Sequence, residues 1–398
     1  MSGGASPRRL WVYVSRRLGL RGYLRRPGDG RRWPQVPAAG LLWALLVGHV
    51  LREASFHGVE ALVRSPARRA LRVARRFGDD TLAYFTERLD PGPTRQALAA
   101  TVRRAKRNKA FDEQRWIGLA VDGTGAGHGQ APRCALCHPL RDAQKAVIGA
   151  LHHVCLLTVV GTALSLPVDV EPWGPGDSEY AAGQRLLRRA VAALGPRLAD
   201  YVVVDGECAT APFLHTAGTV GLRVVARLKG NLPDLFAAAQ ARFTGHPPTG
   251  AFTSARDRVE VWDAEDFDPW ESLRWPTVRV LRYRQHKPDG TVVEAYWLTD
   301  WPTRTVGSRA LYAMAKSRWE VENQGFNVAK TWYGLAHVPH HHVNSLLMHW
   351  LLVIFALTIE RLYRLRYLRR GTHPPLTAMA FVRRLWLSLG APRAPDTS

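Results

Sequence analysis

Cysteine is scarce in this chain, four among 398 residues. That is too few for a disulfide scaffold at such a length, and it fits a reducing compartment. Long apolar runs are missing as well. Ala38–Leu51 and Leu346–Ile359 each reach only 14 residues and are interrupted by His49 and His349, whereas crossing a bilayer takes about 20. Both are expected as buried core helices, and no membrane partner is expected. Arg8, Arg9, Arg16, Arg17 and Arg21 break up any apolar segment near the start, so no signal peptide is expected. Acids are the third shortage: 33 Asp and Glu stand against 55 Lys and Arg, for a net charge of +22. Only 7 of the basic residues are Lys. A GC-rich genome explains Arg over Lys, but not the lack of acids.

The positive charge is unevenly spread. Residues 1–110 hold 23 Lys or Arg against 7 Asp or Glu, net +16, which leaves +6 for the other 288. A basic N-terminal third joined to a nearly balanced body suggests a module that binds a polyanion, with nucleic acid favoured over a membrane surface. In other respects the composition is that of a globular protein, long enough for two or three domains.

Residues 1–37 are rich in Arg and broken by Pro27-Gly28-Asp29-Gly30 and Pro34. They read as a basic, partly disordered arm that orders on nucleic acid. Residues 38–110 read as an all-helical DNA-binding region. One helix is expected through Leu51 to Val63, a second over Ala67–Arg76, a third from Gly78-Asp79 to near Leu89, and a fourth running to Lys106. Arg68 and Arg72 lie on one basic helix surface, and Arg103 and Lys106 near the end of another. Two readings stay open here: a helix-turn-helix-like reader of DNA, or a helical domain with solvated Arg faces. Beyond Ala110 the texture turns to β. Strands are expected at Trp116–Asp122, Val147–Val160 and Thr162–Val170, then helix Glu179–Ala193, strand Tyr201–Asp205, helix Ala211–Val220 and strand Leu222–Arg227. Three strands followed by alternating helix and strand is the order of a ribonuclease H-like α/β core, expected here over residues 111–230 and 302–370 as a mixed sheet with flanking helices. Residues 231–301 read as a β-rich insertion, with a hairpin of Val278–Tyr283 and Val292–Leu298 around Lys287-Pro288-Asp289-Gly290. Helix returns from Ser308 to Trp332. The apolar helix Val343–Leu362 then ends in the basic run Arg361, Arg364, Arg366, Arg369 and Arg370, and 371–398 form a C-terminal tail.

Three separated acids stand out against this background. Asp122 and Asp205 each close an apolar run and are each followed by glycine, and Glu322 lies in a helical segment far downstream. A carboxylate at a strand end, with a glycine turning the chain away, faces a crevice. Two such strands and one helical carboxylate make the hard oxygen site that Mg²⁺ or Mn²⁺ prefers. In-line phosphoryl transfer needs two such ions about 3.5–4 Å apart. Asp122 is expected between both, with Asp205 on one and Glu322 on the other. Asp-Gly is also common turn chemistry, and an Arg–Glu pair four residues apart is common on helices. Asp169, Glu171, Asp177, Glu179 and Glu207 are rival acids whose positions suit capping and solvation, with Glu207 the best placed auxiliary.

The segment Arg318-Trp319-Glu320-Val321-Glu322-Asn323-Gln324-Gly325-Phe326, with Lys330, resembles the C-terminal signature of the DDE transposases of bacterial insertion sequences. The Asp122-Gly123 and Asp205-Gly206 contexts and the turn Gly176-Asp177-Ser178-Glu179 resemble the same group, in its branch with a β-rich insertion. The similarity covers about residues 65–360. Arg318 and Glu322 keep the family's interval of four. Lys330 follows Glu322 by eight residues where seven is usual, and Tyr312 precedes Arg318 by six where three is usual. The resemblance implies catalytic, metal-holding Asp122, Asp205 and Glu322, and DNA-binding roles for Arg318, Lys330 and Tyr312. It implies double-stranded DNA as partner, both the element ends and the target, and a homodimer that pairs two ends. In relatives the inserted β domain offers an aromatic side chain to a flipped base. Trp262, Trp270, Trp275 and Trp297 are candidates, though most are expected in the core. Two alternatives stay open: a catalytically silent, transposase-derived DNA-binding protein, and a basic membrane-associated protein using Leu346–Ile359.

A second metal site is suggested by Cys134-Ala135-Leu136-Cys137-His138, which would hold structural Zn²⁺ with His152 or His153. A lone C-x-x-C is not specific, and reduced, unligated cysteines are the preferred reading. His340-His341-His342 reads as a loop capping the last helix rather than as a metal site.

Overall fold

The computed structural model describes residues 6–111, 115–367 and 377–390. Arg369 and Arg370 of the expected basic run lie outside them. The chain is a mixed α/β structure with a mostly helical N-terminal region and a ten-stranded mixed sheet.

The first helices are α1 (Pro7–Val12), opened by Ser6 accepting from the Arg9 N–H, and α2 (Arg21–Arg25), with a π-helical turn at Tyr13–Arg17 between them. The expectation of a disordered arm fails for residues 6–37. Leu10, Tyr13, Val14, Leu18, Leu20 and Leu24 are buried, Arg16, Arg17 and Arg21 between them are exposed, and the Arg17 carbonyl accepts from Arg104. Enough apolar area lies between the charges to offset the entropy of ordering this segment.

Next come α3 (Ala38–Val50), α4 (Phe56–Arg64), α5 (Ala67–Leu71), α6 (Asp79–Glu87) and α7 (Pro91–Arg107). The helix expected through Leu51 to Val63 is instead broken at Arg52, whose φ is 67°. The one expected to reach Arg76 stops at Arg72, whose φ is 58°. From Leu41 to Val50 every residue of α3 is buried. Such a helix is apolar all round and belongs at the centre of a fold.

The strands are β1 (Gly118–Gly129), β2 (His138–Arg141), β3 (Val147–Val160) and β4 (Leu166–Trp173); helix α8 (Glu179–Leu194), β5 (Tyr201–Val204), α9 (Ala211–Thr219), β6 (Arg223–Leu228) and α10 (Pro233–Phe243) follow. The sheet is completed by β7 (Gly250–Ser254), β8 (Asp257–Phe267), β9 (Val278–His286) and β10 (Val292–Thr299). Its order is β2-β3-β1-β5-β6-β10-β9-β8-β7, with β4 also on β3. β1, β5 and β6 run parallel at the middle, and every other pairing is antiparallel. The β-rich stretch 231–301 thus extends the same sheet, because β10 pairs with β6.

The chain then runs through α11 (Ser308–Glu320), a π-helical stretch Val321–Phe326, α12 (Asn327–Tyr333), α13 (Val343–Tyr367) and α14 (Ala378–Leu389). The tail expected from 371 therefore includes a helix, which buries Phe381, Val382, Leu385 and Leu389. At 25 residues α13 is long and apolar enough to cross a membrane by length and composition, yet 83% of its most apolar window is buried inside the fold. It packs on α3, α7 and β4.

Candidate functional site

The parallel pairing of β1 and β5 places Ala120 beside Val203. Two residues on, Asp122 and Asp205 come level at the carboxyl end of β5, where sheets of this kind leave a crevice. Asp205 caps the short 3-10 turn Gly206–Cys208. Asp122 does not end its strand as expected, since β1 stays paired with β3 through Gly125 and again at His128–Gly129. Gly123 therefore has a different purpose from turning the chain. A Cβ there would lie 2.2 Å from Oε2 of Glu179, so the missing side chain makes room for that carboxylate at the start of α8.

Glu322 reaches the same place from the helical side. Arg318 links the two: its Nη1 is 3.2 Å from Asp122 Oδ2 and its Nη2 is 3.5 Å from Glu322 Oε2. Lys229, just after β6, holds Asp205 at 3.0 Å. Glu320, two residues before Glu322, faces away and accepts from the Gly161 N–H.

Lys330 donates to Thr124 Oγ1 at 2.6 Å, two residues along β1 from Asp122 and on the same face. Its interval of eight from Glu322 has a local cause. On an uninterrupted α-helix eight residues turn about 800°, which leaves Lys330 about 80° off the Glu322 face. The π-helical stretch Val321–Phe326 bonds one residue further along the chain and absorbs the extra residue. Gly325 allows this stretch to sit on β3, where a Cβ would lie 3.1 Å from Leu156.

The electrostatics follow from crowding. Burial, with the Asp205 and Glu322 carboxylates added, pushes Asp122 up to about 6 despite Arg318. Burial and the charges of Asp122, Glu207 and Asp205 push Glu179 up to about 7. For Asp205, burial acts upward too, but the Gly206 N–H and the Lys229 ammonium outweigh it and hold the carboxyl below its ordinary value. Lys229 was not singled out from the sequence for this site, and Glu179 stood only among the rival acids suited to capping, with Glu207 preferred as auxiliary. No pattern in the sequence brings Glu179 to Gly123, while the turn after a central strand was an available signal for Lys229.

The remaining candidates divide. Tyr312 is buried edge-on against Tyr283 and Phe252. Six residues on a helix turn it about 120° away from Arg318, so its expected contact with DNA is not available. Arg68 is used on the Val73 and Ala74 carbonyls, and Lys106 on those of Arg197 and Leu198. Arg72 and Arg103 are exposed. Trp262 and Trp297 are buried, while Trp270 and Trp275 are partly buried. Asp169 and Glu171 are paired with Arg95 and Arg189, and Asp177 with Arg185. Cys134, Cys137 and His152 do converge. His138 does not join them, because its Nε2 is engaged by the Trp173 carbonyl at 3.0 Å, and His341 takes its place.

No protein-family model matches this chain. No curated protein matches it either.

Proposed function

We propose that this chain is a DDE-type DNA transposase with a ribonuclease H-like core and a β-rich insertion over 231–301. One observation carries the reading: Asp122 and Asp205 each stand two residues beyond the paired Ala120 and Val203 of neighbouring parallel strands, and Arg318 joins Asp122 to Glu322. The start on β1, β3 and β4 (with the short β2 also on β3), the helix–strand alternation after it, and the adjacency of β1 and β5 also support such a core. The match of Lys330 to the expected lysine is supported by the π-helical stretch that corrects its spacing.

The donor set fits Mg²⁺ or Mn²⁺. All the groups are hard carboxylates, and the protons retained toward neutral pH by Asp122 and Glu179 mark negative charge that a cation would neutralise. Asp122, Asp205 and Glu322 would hold two ions, with Glu179 beside them. Such ions ease deprotonation of the attacking oxygen and stabilise the leaving one. Arg318 and Lys330 flank the carboxylates and would hold the DNA phosphates, as bidentate and point charges respectively. Water attacks phosphorus at the element end and the bond to O3′ breaks. The freed 3′-hydroxyl then attacks a phosphorus of target DNA, the target's own bond from that phosphorus to O3′ breaks, and the leaving oxygen takes up a proton as a new 3′-hydroxyl. The basic helical region would bind the terminal inverted repeats, and pairing two ends calls for a homodimer.

The test is strand cleavage of DNA carrying the native element ends, in Mg²⁺ or Mn²⁺, by the wild type and Glu322→Gln. Nicking at the ends that vanishes in the variant while end binding survives is the expected result. Tight end binding without cleavage by either protein would replace this reading with a catalytically silent DNA-binding protein.

A further inference from the structure

Four side chains away from the acidic site point at one another. Cys134 and Cys137 lie between β1 and β2, His152 is on β3, and His341 is in the loop joining α12 to α13. The two sulfurs are 3.5 Å apart, and His152 Nε2 is 3.2 and 3.3 Å from them. A ring nitrogen of His341 completes the group, with all four donor atoms within 4.8 Å of one another. Nδ1 of His341 is buried with no hydrogen-bond partner among the described residues.

We propose that Cys134, Cys137, His152 and His341 hold one structural Zn²⁺. A tetrahedron with Zn–S of about 2.3 Å and Zn–N of about 2.0–2.1 Å sets two sulfurs about 3.8 Å apart and a sulfur and nitrogen about 3.6 Å apart. The three distances above lie within a few tenths of an ångström of these. Two thiolates and two neutral imidazoles make a neutral complex with Zn²⁺, which suits a partly buried position. They are also the soft and borderline donors that favour zinc over the hard ions proposed for the carboxylates. Binding releases the two thiol protons to solvent.

The surroundings are those of a built site. The Cys137 N–H donates to the Cys134 carbonyl, which closes a tight turn, and the Arg133 N–H points at Cys137 Sγ at 3.4 Å, where it would stabilise thiolate charge. Gly174 gives the turn room, since a Cβ there would lie 2.6 Å from the Ala135 carbonyl oxygen. The loop bearing His341 closes on the end of β1 at two glycines. A Cβ on Gly127 would meet Val338 at 2.7 Å, and one on Gly129 would lie 3.9 Å from the His341 ring. The metal would therefore fasten the end of β1 and β3 to the loop that follows α12, the helix carrying Lys330. This holds whether or not the carboxylates act on DNA.

The test is metal content of the full chain after gel filtration, for the wild type, His138→Ala, Cys134→Ser and His341→Ala. About one zinc per chain is expected in the first two, and the latter two should lose most of their bound zinc. Cobalt substitution of the wild type should give thiolate charge-transfer bands and tetrahedral ligand-field bands, which decides the matter even if the cysteine variant does not fold. A folded wild type that takes up no zinc, undiminished zinc in His341→Ala, or a Cys134–Cys137 disulfide in the reduced preparation would each overturn the proposal.

Discussion

Replacing Asp122 with Asn should make the metal-free protein more stable while abolishing the function proposed for it. The side chain is 18% exposed and stands among like charges. Its carboxyl is raised from an ordinary 3.8 to about 6 even with Arg318 beside it. A group raised in the folded state contributes stability that is fully present below its unfolded pKa and is lost as pH rises through its folded pKa. At about 1.36 kcal/mol per tenfold change, the ionised carboxylate destabilises the fold by up to about 3 kcal/mol above pH 7. Part of that repulsion is shared with Glu179, so the gain from Asn should be about 1–3 kcal/mol at pH 8. It should shrink between pH 6 and 4 and vanish near pH 3. For a chain of this size, with an unfolding entropy near 2.1 cal/mol/K per residue, that is a rise of roughly 1–4 °C in the thermal midpoint at pH 8. The assay is thermal unfolding in a chelator at pH 5 and pH 8, repeated with Mg²⁺. Magnesium should stabilise the wild type and leave the variant unmoved. An Asn variant no more stable than wild type at pH 8 would refute the crowding argument, and with it the case that these acids await a cation.

Gly123→Ala should fold and yet lose most cleavage, because its Cβ displaces the Glu179 carboxylate from 2.2 Å away; circular dichroism with an end-nicking assay separates the two effects. Deleting Asn323 should convert the π-helical stretch to regular α-helix and keep Lys330 on Thr124, with cleavage within about threefold of wild type. Inserting one alanine at the same point should turn Lys330 by about 100° and abolish cleavage; equal activity in deletion and insertion would show that the register does not matter. Tyr312→Phe should change end binding by less than about twofold, since the ring is buried against Tyr283 and Phe252; a larger loss in a gel-shift titration would return Tyr312 to the DNA surface.

Patterns with a period were legible in the sequence. The hairpin around Asp289-Gly290 forms as β9 and β10, with continuous buried runs over Val278–Tyr283 and Ala295–Thr299 where alternation is expected, and α8 begins at Glu179 behind its Ser178 cap. Asp205 could be placed at a strand end because the run Tyr201–Val204 marks one, whereas Asp122 lies inside the longer β1. What could not be read were choices made by tertiary contact. Gly123 looks like turn chemistry unless the Glu179 carboxylate is known to occupy its missing side chain. The π-helical stretch leaves no composition signal, so the sequence alone does not show that Lys330 reaches Thr124 beside Asp122. His341, some two hundred residues from Cys137, could be chosen over the adjacent His138 only by the fold, because the ring of His138 is turned to the Trp173 carbonyl. The arginines at the start masked a buried apolar set for a similar reason: charge density is visible in a sequence, but the surface it packs on is not.

The burial of α13 bears on how such a protein can evolve. This helix packs in the core against α3, α7 and β4, and Asn344 at its start donates to the carbonyls of Thr86, Glu87 and Leu89. The basic helices and the sheet are therefore not beads on a string that recombination could exchange for those of another lineage. A transplanted helical region would arrive with the wrong underside. If the proposed function holds, any change of the DNA sequence recognised must accumulate one exposed side chain at a time, on a surface whose reverse is held fixed.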